Sequence, residues 1–305
     1  MQLHQMRYIR EVSRQNLNVS AAAEVLHTSQ PGVSKQIQLL EEELGIQIFQ
    51  RSGKRLTGIT EPGQIILSMA ERMLHEVENI KRVGDDFTRD TEGSLTIATT
   101  HTQARYRLPP AIKGFVESYP NIKLHIHQGN PAQVTEMIVK GEADIGIATE
   151  AIAEHPDLVA LPCYTWNRCV VAPHGHAIFK ESPLTLKKLA SYPVVTYDLG
   201  YTGSNTVRRA FESEGLEPNI VLTAIDSDVI KTYVEMGLGV GLLAKMAFDA
   251  ERDKNLGMMD TSHLFPDSTT YLGVRRDMYL RGFLYDFIGL IAPHLSRAAV
   301  NAAFK

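Results

Sequence analysis

The first apolar positions of the chain, Leu3, Met6, Ile9 and Val12, recur at helical spacing and predict an amphipathic helix over about residues 2–14. Asn18 is a good N-cap ahead of Val19–Leu26, whose small alanines let another helix pack closely. His27-Thr28 makes a short turn and Ser29 offers a second N-cap. Gln30 and Pro31 then fall in the first turn of the next helix, where proline's missing N–H is harmless. Val33, Ile37, Leu40 and Leu44 carry that helix's apolar stripe until Gly45 ends it. Ile46–Gln50 alternates, Arg51–Arg55 forms a basic turn, and Leu56–Thr60 reads as a return strand. Helix, turn, helix and hairpin in this order predict a winged helix-turn-helix over residues 1–60.

Thr60 can cap a long helix whose first turn holds Glu61 and Pro62, and residues 61–90 are expected to form this linker. Ile66, Ala70, Met73, Val77, Ile80, Gly84 and Phe87 follow at alternating spacings of four and three, an a/d-type seam narrow enough to pair with a second chain. The alternative is a helix packed on its own C-terminal domain. From Gly93 short apolar strands alternate with helices, which implies a parallel or mixed α/β sheet covered on both faces. Residues 91–305 suit two small lobes with a cleft between them, lobe I at about 93–163 plus 269–305 and lobe II at about 164–268. The whole is expected to be an α+β multidomain protein.

Composition removes several classes. The 305 residues are 44% hydrophobic and 22% charged, ordinary values for a chain that buries real cores, so collagen-like and disordered classes are excluded. No unbroken apolar run reaches the ~18 residues of a membrane span, the N-terminus lacks a secretory pattern, and two cysteines cannot build a disulfide framework. A cytoplasmic protein with no membrane contact is expected. The net charge of -4 hides a local basic signal, because Ile46–Thr60 contains no acid while holding Arg51, Lys54 and Arg55. Gln30, Ser34, Lys35 and Gln38 on the second helix can hydrogen-bond to base edges or phosphates, and the three wing cations can meet phosphates or a minor groove. A small helical bundle with a solvated basic loop is the competing reading.

Ala22-Ala23-Glu24, Ser29-Gln30-Pro31, Val33-Ser34-Lys35-Gln36-Ile37, Leu39-Leu40-Glu41-Glu42-Glu43-Leu44-Gly45, Phe49, Arg51, Leu56-Thr57, Thr60 and Gly63 together resemble the winged helix-turn-helix of LysR-type transcriptional regulators. The resemblance implies that Gln30, Pro31, Ser34 and Lys35 are recognition-helix contacts to promoter DNA and that Arg51 is a wing contact. It also implies a periplasmic-binding-protein-like effector domain, antiparallel pairing of linker helices into a homodimer or homotetramer, and RNA polymerase as a partner.

In α/β folds of this kind ligands bind at the carboxyl ends of strands. Three such ends supply hydroxyls and backbone donors: Thr99-Thr100-His101-Thr102-Gln103, Thr149-Glu150, and Tyr201-Thr202-Gly203-Ser204. Neutral donors can hold a small anion by hydrogen bonding, although threonines at strand ends also serve as helix caps. Ile97–Tyr106, Ile147–Ala151, Trp166-Asn167-Arg168 and Asp228–Val234 further resemble the family's activators of cysteine-biosynthesis and sulfur-assimilation genes. That resemblance implies a sulfate-like anion held by Thr100, Thr102, Gln103, Thr149 and Thr202 with Trp166 on the wall. It implies an effector of the N-acetylserine or O-acetylserine type, opposed by sulfide and thiosulfate. A paralogue serving sulfonate or sulfate-ester use is the alternative within the family, and an enzyme or plain anion-binding protein on the same C-terminal fold is the alternative outside it.

Other motifs carry less. Gly237, Gly239 and Gly241 follow a helix and precede a strand, the reverse of a dinucleotide loop. His125 and His127 share a strand face and with His101 suggest a metal only weakly, since no carboxylate or cysteine stands at ligand spacing. Cys163 and Cys169 read as buried thiols. No catalytic residue set stands out, so no enzyme, no cofactor and no metal are expected.

Overall fold

A computed structural model describes residues 1–53, 55–88, 91–198 and 204–305, which divide into two compact units, Met1–Asp85 and Asp86–Lys305. The first unit opens with α1 (Leu3–Arg14), α2 (Val19–Val25) and α3 (Gln30–Leu44). The Asn18 carboxamide oxygen accepts from the N–H groups of Ser20 and Ala21 at 3.1 Å, and Ser29 Oγ accepts from Gly32 N–H at 3.2 Å, so both helices start on the residues their capping chemistry favours. Gly45 takes the left-handed conformation that ends α3. The wing is β1 (Phe49–Ser52) paired antiparallel with β2 (Arg55–Ile59).

The expected strand at Ile46–Gln50 begins later than its alternation implied, and a buried acid is the reason. Glu41 Oε1 accepts from the N–H groups of Ile48 (2.8 Å) and Phe49 (3.1 Å), which ties the chain entering the wing back onto α3. Beyond the wing, Thr60 Oγ1 accepts from Gly63 N–H at 3.0 Å and starts α4 (Glu61–Thr88). Gly63 must be glycine, because a Cβ there would lie 2.1 Å from the Ile48 carbonyl oxygen.

The apolar seam expected on this helix divides in two. Ala70 is 1% exposed and joins Leu74 in the head core with Ile9, Ile37, Leu40 and Phe49, and Ile66 packs on the same core. The side chains left exposed are Ile65, Met69, Met73, Ile80, Val83 and Phe87, with Ile80 at 71% and Phe87 at 82%. The 3.6-residue helix carries two stripes, one for its own head and one facing away from it, and one heptad seam had merged them.

The second unit holds two five-stranded sheets. The first is built from β3 (Gly93–Thr99), β4 (Ile122–Gln128), β5 (Ile145–Ala148), β6 (Leu158–Trp166) and, much later, β12 (Ser268–Arg275), in the order β4-β3-β5-β12-β6. Around it stand α5 (His101–Tyr106), α6 (Leu108–Ser118), α7 (Pro131–Val139), α11 (Gly282–Ile291) and α12 (Arg297–Ala303). The second sheet contains β7 (Arg168–Pro173), β8 (Val194–Tyr197), β9 (Ile220–Ala224), β10 (Val240–Ala244) and β11 (Leu256–Asp260), in the order β11-β7-β10-β8-β9. Its helices are α8 (Leu186–Ala190), α9 (Ser204–Ser213) and α10 (Ser227–Glu235).

Leu95, Ile97, Phe115, Leu161, Leu272 and Phe287 fill the core under the first sheet, and Val170, Leu189, Phe211 and Leu242 one under the second. The chain leaves the first sheet after Trp166 and re-enters it at Ser268, so β6 runs past the changeover expected at 163/164. A separate one-turn helix, Glu150–Ile152, follows β5.

The divided stripe sets an expected outcome. Ala70→Glu would bury an unpaired charge and is expected to unfold the head. Ile80→Glu lies on the exposed stripe and is expected to leave head stability within about 0.5 kcal/mol of wild type. Thermal melting of the two full-length variants checks both.

Candidate functional site

Two surfaces gather the candidate residues, one in each unit. On the head, α3 presents Gln30, Pro31, Lys35 and Gln38 to solvent with Ser34 half-buried. Gln30 Nε2 donates to Ser34 Oγ at 3.0 Å, so these two side chains are ordered against each other. Gln30 also lines a groove of about 1090 Å³ with Asn18, Ser20, Ser52, Arg55 and Thr57. The start of the recognition helix, the start of α2 and the wing thus border one concave, polar surface that includes Arg55. Arg51 is held differently: its Nη2 lies 2.9 Å from Glu41 Oε2, and Glu41 is buried. Sequence reading missed Glu41, although an acid four residues after Ile37 on the apolar stripe was a signal. Lys54 lies outside the described residues.

In the second unit, Thr100, Thr102, Gln103 and Thr149 are all buried. β3 and β5 are parallel neighbours, with Thr99 opposite Ile147, so Thr100 and Thr149 leave the sheet at the same edge. β12 runs antiparallel between β5 and β6, which brings Ser268 and Thr270, and Tyr164 and Trp166, to that edge as well. Thr99 is internal to the sheet and donates to the Ile147 carbonyl at 2.9 Å. Thr100 stands at the N-cap of α5 and Thr149 at the N-cap of Glu150–Ile152, yet neither hydroxyl makes a cap bond. Helix capping therefore does not account for them.

Gln103 is fixed on both sides. Its Nε2 donates to Thr270 Oγ1 at 3.3 Å, and its Oε1 accepts from the Tyr164 hydroxyl, whose burial pushes its pKa well above the usual phenol range. Thr102 Oγ1 lies 3.4 Å from Ser227 Oγ, which is 2.6 Å from the Tyr197 hydroxyl. The Ala244 N–H donates to that hydroxyl at 3.2 Å. This run of hydroxyls passes from α5 of the first lobe to α10, β8 and β10 of the second.

Trp166 is buried, and its indole Nε1 has no partner among the described residues. The Arg168 guanidinium stacks 5.1 Å from the Trp166 ring and donates to Ser268 Oγ at 3.3 Å. Burial lowers the Arg168 pKa, and this edge contains a desolvated guanidinium that sequence reading had not placed there. Ser227, Tyr197, Tyr164, Thr270 and Arg168 were all missed, because only long-range packing brings them to the threonines. Thr202 lies outside the described residues. His125 and His127 are exposed on β4, whereas His101 lies with Asp226 and Asp228, where Asp228 is already paired with Arg105 at 2.6 Å.

Residues 3–64 match the family model for the bacterial regulatory helix-turn-helix protein, lysR family, and residues 88–296 match the LysR substrate binding domain. The chain belongs to the LysR family of transcriptional regulators. It is 50% identical over 305 residues to the HTH-type transcriptional regulator SsuR of Burkholderia cenocepacia, covering all of this chain and 99% of that one. It is also 50% identical over 305 residues to CysB of the same organism, covering all of this chain and 97% of the relative. The crystal structure of the cofactor-binding domain of the Cbl transcriptional regulator superposes with a TM-score of 0.68 at 45% identity, over 70% of this chain and 94% of that one. Family and domain content make this LysR-type protein a transcription factor and not an enzyme.

Two pairs of outcomes follow from the geometry of this LysR-type chain. Thr185 Oγ1 caps α8 by accepting from Lys188 N–H at 3.3 Å, so Thr185→Val is expected to lose about 1 kcal/mol of stability. Thr100→Val removes a hydroxyl with no capping bond and is expected to leave the melting temperature in sulfate-free buffer unchanged or slightly raised. On DNA, Arg55→Gln is expected to reduce the slope of log affinity against log salt by about 0.9 while keeping the head folded. Arg51→Gln is expected to lower the head's melting temperature, because it strips a buried carboxylate of its cation. Binding isotherms at several salt concentrations, with melts of the same proteins, check the pair.

Proposed function

We propose that the chain is an effector-controlled activator of sulfur-assimilation and cysteine-biosynthesis genes, acting in the cytoplasm on promoter DNA and RNA polymerase. Its effector is a sulfate-like oxyanion or an acylated serine of the N-acetylserine or O-acetylserine type, bound where Thr100, Thr102, Gln103 and Thr149 meet at the sheet edge. The observation that carries this reading is the pair of buried residues Thr100 and Thr149, at the ends of neighbouring strands, whose hydroxyls have no capping role. Neutral donors left free by the helix caps suit a small oxyanion. The exposed stripe from Ile65 to Phe87 supports pairing of linker helices into a dimer, or a dimer of dimers, and sedimentation of Ile80→Glu as a monomer would agree with it.

A second reading, control of sulfonate or sulfate-ester use, stands beside it, because the identity to SsuR and to CysB is equal and does not single out one regulon. Both readings place an oxyanion in the same cleft, so the ligand separates them. Calorimetric titration of the full chain with sulfate, thiosulfate, N-acetylserine, O-acetylserine and adenosine phosphosulfate is the test. Binding of sulfate or an acetylserine is expected, weakened ten- to a hundredfold by Thr100→Val, the factor for about 1.5–3 kcal/mol lost with one hydrogen bond to a charged group. Tight binding of adenosine phosphosulfate alone would favour the second reading. Unchanged affinity in Thr100→Val would remove the cleft assignment.

A further inference from the structure

Besides Thr102, which meets Ser227, three further residues of α5 face the other lobe: His101, Arg105 and Tyr106. Asp228, in the first turn of α10, is the centre of that contact. Its Oδ1 accepts from the Tyr106 hydroxyl at 2.6 Å, and its Oδ2 lies 2.6 Å from Arg105 Nε and 3.9 Å from His101 Nε2. Lys231, one turn further along α10, donates from Nζ to the same Tyr106 hydroxyl at 3.0 Å and lies 3.4 Å from Asp228 Oδ1. His101, Arg105 and Tyr106 belong to the first lobe, and Asp228 and Lys231 to the second.

The two charged residues of α10 are satisfied in different ways. Lys231 is nearly buried, but Asp253 (2.9 and 3.1 Å) and the Ala247 carbonyl (2.9 Å) of its own lobe also hold it. Separating the lobes would leave Lys231 compensated. Asp228 would lose both Tyr106 and Arg105, and the Tyr106 hydroxyl would lose its carboxylate acceptor. Asp228 and Arg105 are partly exposed, so water can replace part of what is lost, and the contact can open at moderate cost. This is the energetic signature of a reversible tie and not of a core.

The same short helix carries the cleft donors Thr102 and Gln103 and starts at Thr100. We infer that Asp228, gripping Arg105 and Tyr106, is an interlobe latch that fixes α5 in the position where its donors converge on the effector. These three are positioning residues, since they act on the ligand only through α5. Linkage makes the effect reciprocal: an effector that orders α5 strengthens the latch by the factor by which the latch strengthens effector binding. The effector half of this inference rests on the reading of the cleft given under Proposed function.

Full-length Tyr106→Phe, Asp228→Asn and the double variant test it by two measurements, hydrogen exchange without ligand and sulfate or N-acetylserine affinity by calorimetry. Tyr106→Phe keeps the ring and deletes only the hydroxyl. Each single variant is expected to raise exchange in both 101–106 and 227–235, including the helix that was not altered, with the sheet cores still protected. Each is expected to weaken binding about tenfold, and the double variant to be no weaker than the weaker single, because one tie is broken only once. Exchange that rises only in the altered helix would overturn the latch. So would a double variant whose losses multiply, or raised exchange with unchanged affinity. If wild type binds none of the anions, the reading of the cleft falls, and exchange across both helices alone upholds or overturns the latch.

Discussion

The effector unit depends on the constraint that its chain passes between the two sheets at a pair of adjacent crossings. Asn167 sits in the outward crossing, and its Nδ2 donates to Asp267 Oδ1 at 2.7 Å and to the Phe265 carbonyl at 2.9 Å, both in the returning segment. The two crossings are thereby pinned to each other. Trp166, Arg168 and Ser268 flank the pin, so the residues at the candidate site's wall are also those nearest the pivot. The Arg168 guanidinium stacked on Trp166 and hydrogen-bonded to Ser268 carries that rigidity across the gap between strands of different sheets.

The head is organised by a comparable economy of polar groups. Glu41 has one oxygen on two backbone N–H groups and the other on Arg51, which satisfies a carboxylate that burial would otherwise make unfavourable. Arg51 consequently sets where the wing lies with respect to α3, while Arg55 remains exposed at the groove. The basic turn read from the sequence thus contains arginines with distinct physical duties.

What could be read in advance divides along the same line. Asn18, Ser29, Gly45 and Thr60 act on backbone within a few residues of themselves, and each stands where its local chemistry places it. The helix-turn-helix, the wing and the long connector were legible for that reason. The seam of the connector was only half legible, since Ala70 faces its own head and Ile65 and Met69 do not, a choice made by tertiary packing. Strand β6 continued to Trp166 because β12 pairs with it along its whole length, which no local pattern contains. At the candidate site the threonines were marked by strand ends and by family resemblance. Their partners Ser227 and Tyr197 come from far along the chain, and Arg168 gave no sign of being buried.

The connector has one further property. Asp86, in its last turn, accepts from the Tyr279 hydroxyl at 2.9 Å and from the Gly282 N–H at 3.0 Å, and it lies 3.8 Å from Arg281 Nε. It therefore supplies the first turn of α11 with an acceptor that belongs to a different helix. Arg281, at the N-cap of α11, makes no side-chain cap bond of its own, so loss of the Asp86 carboxylate would orphan an N–H at the start of that helix.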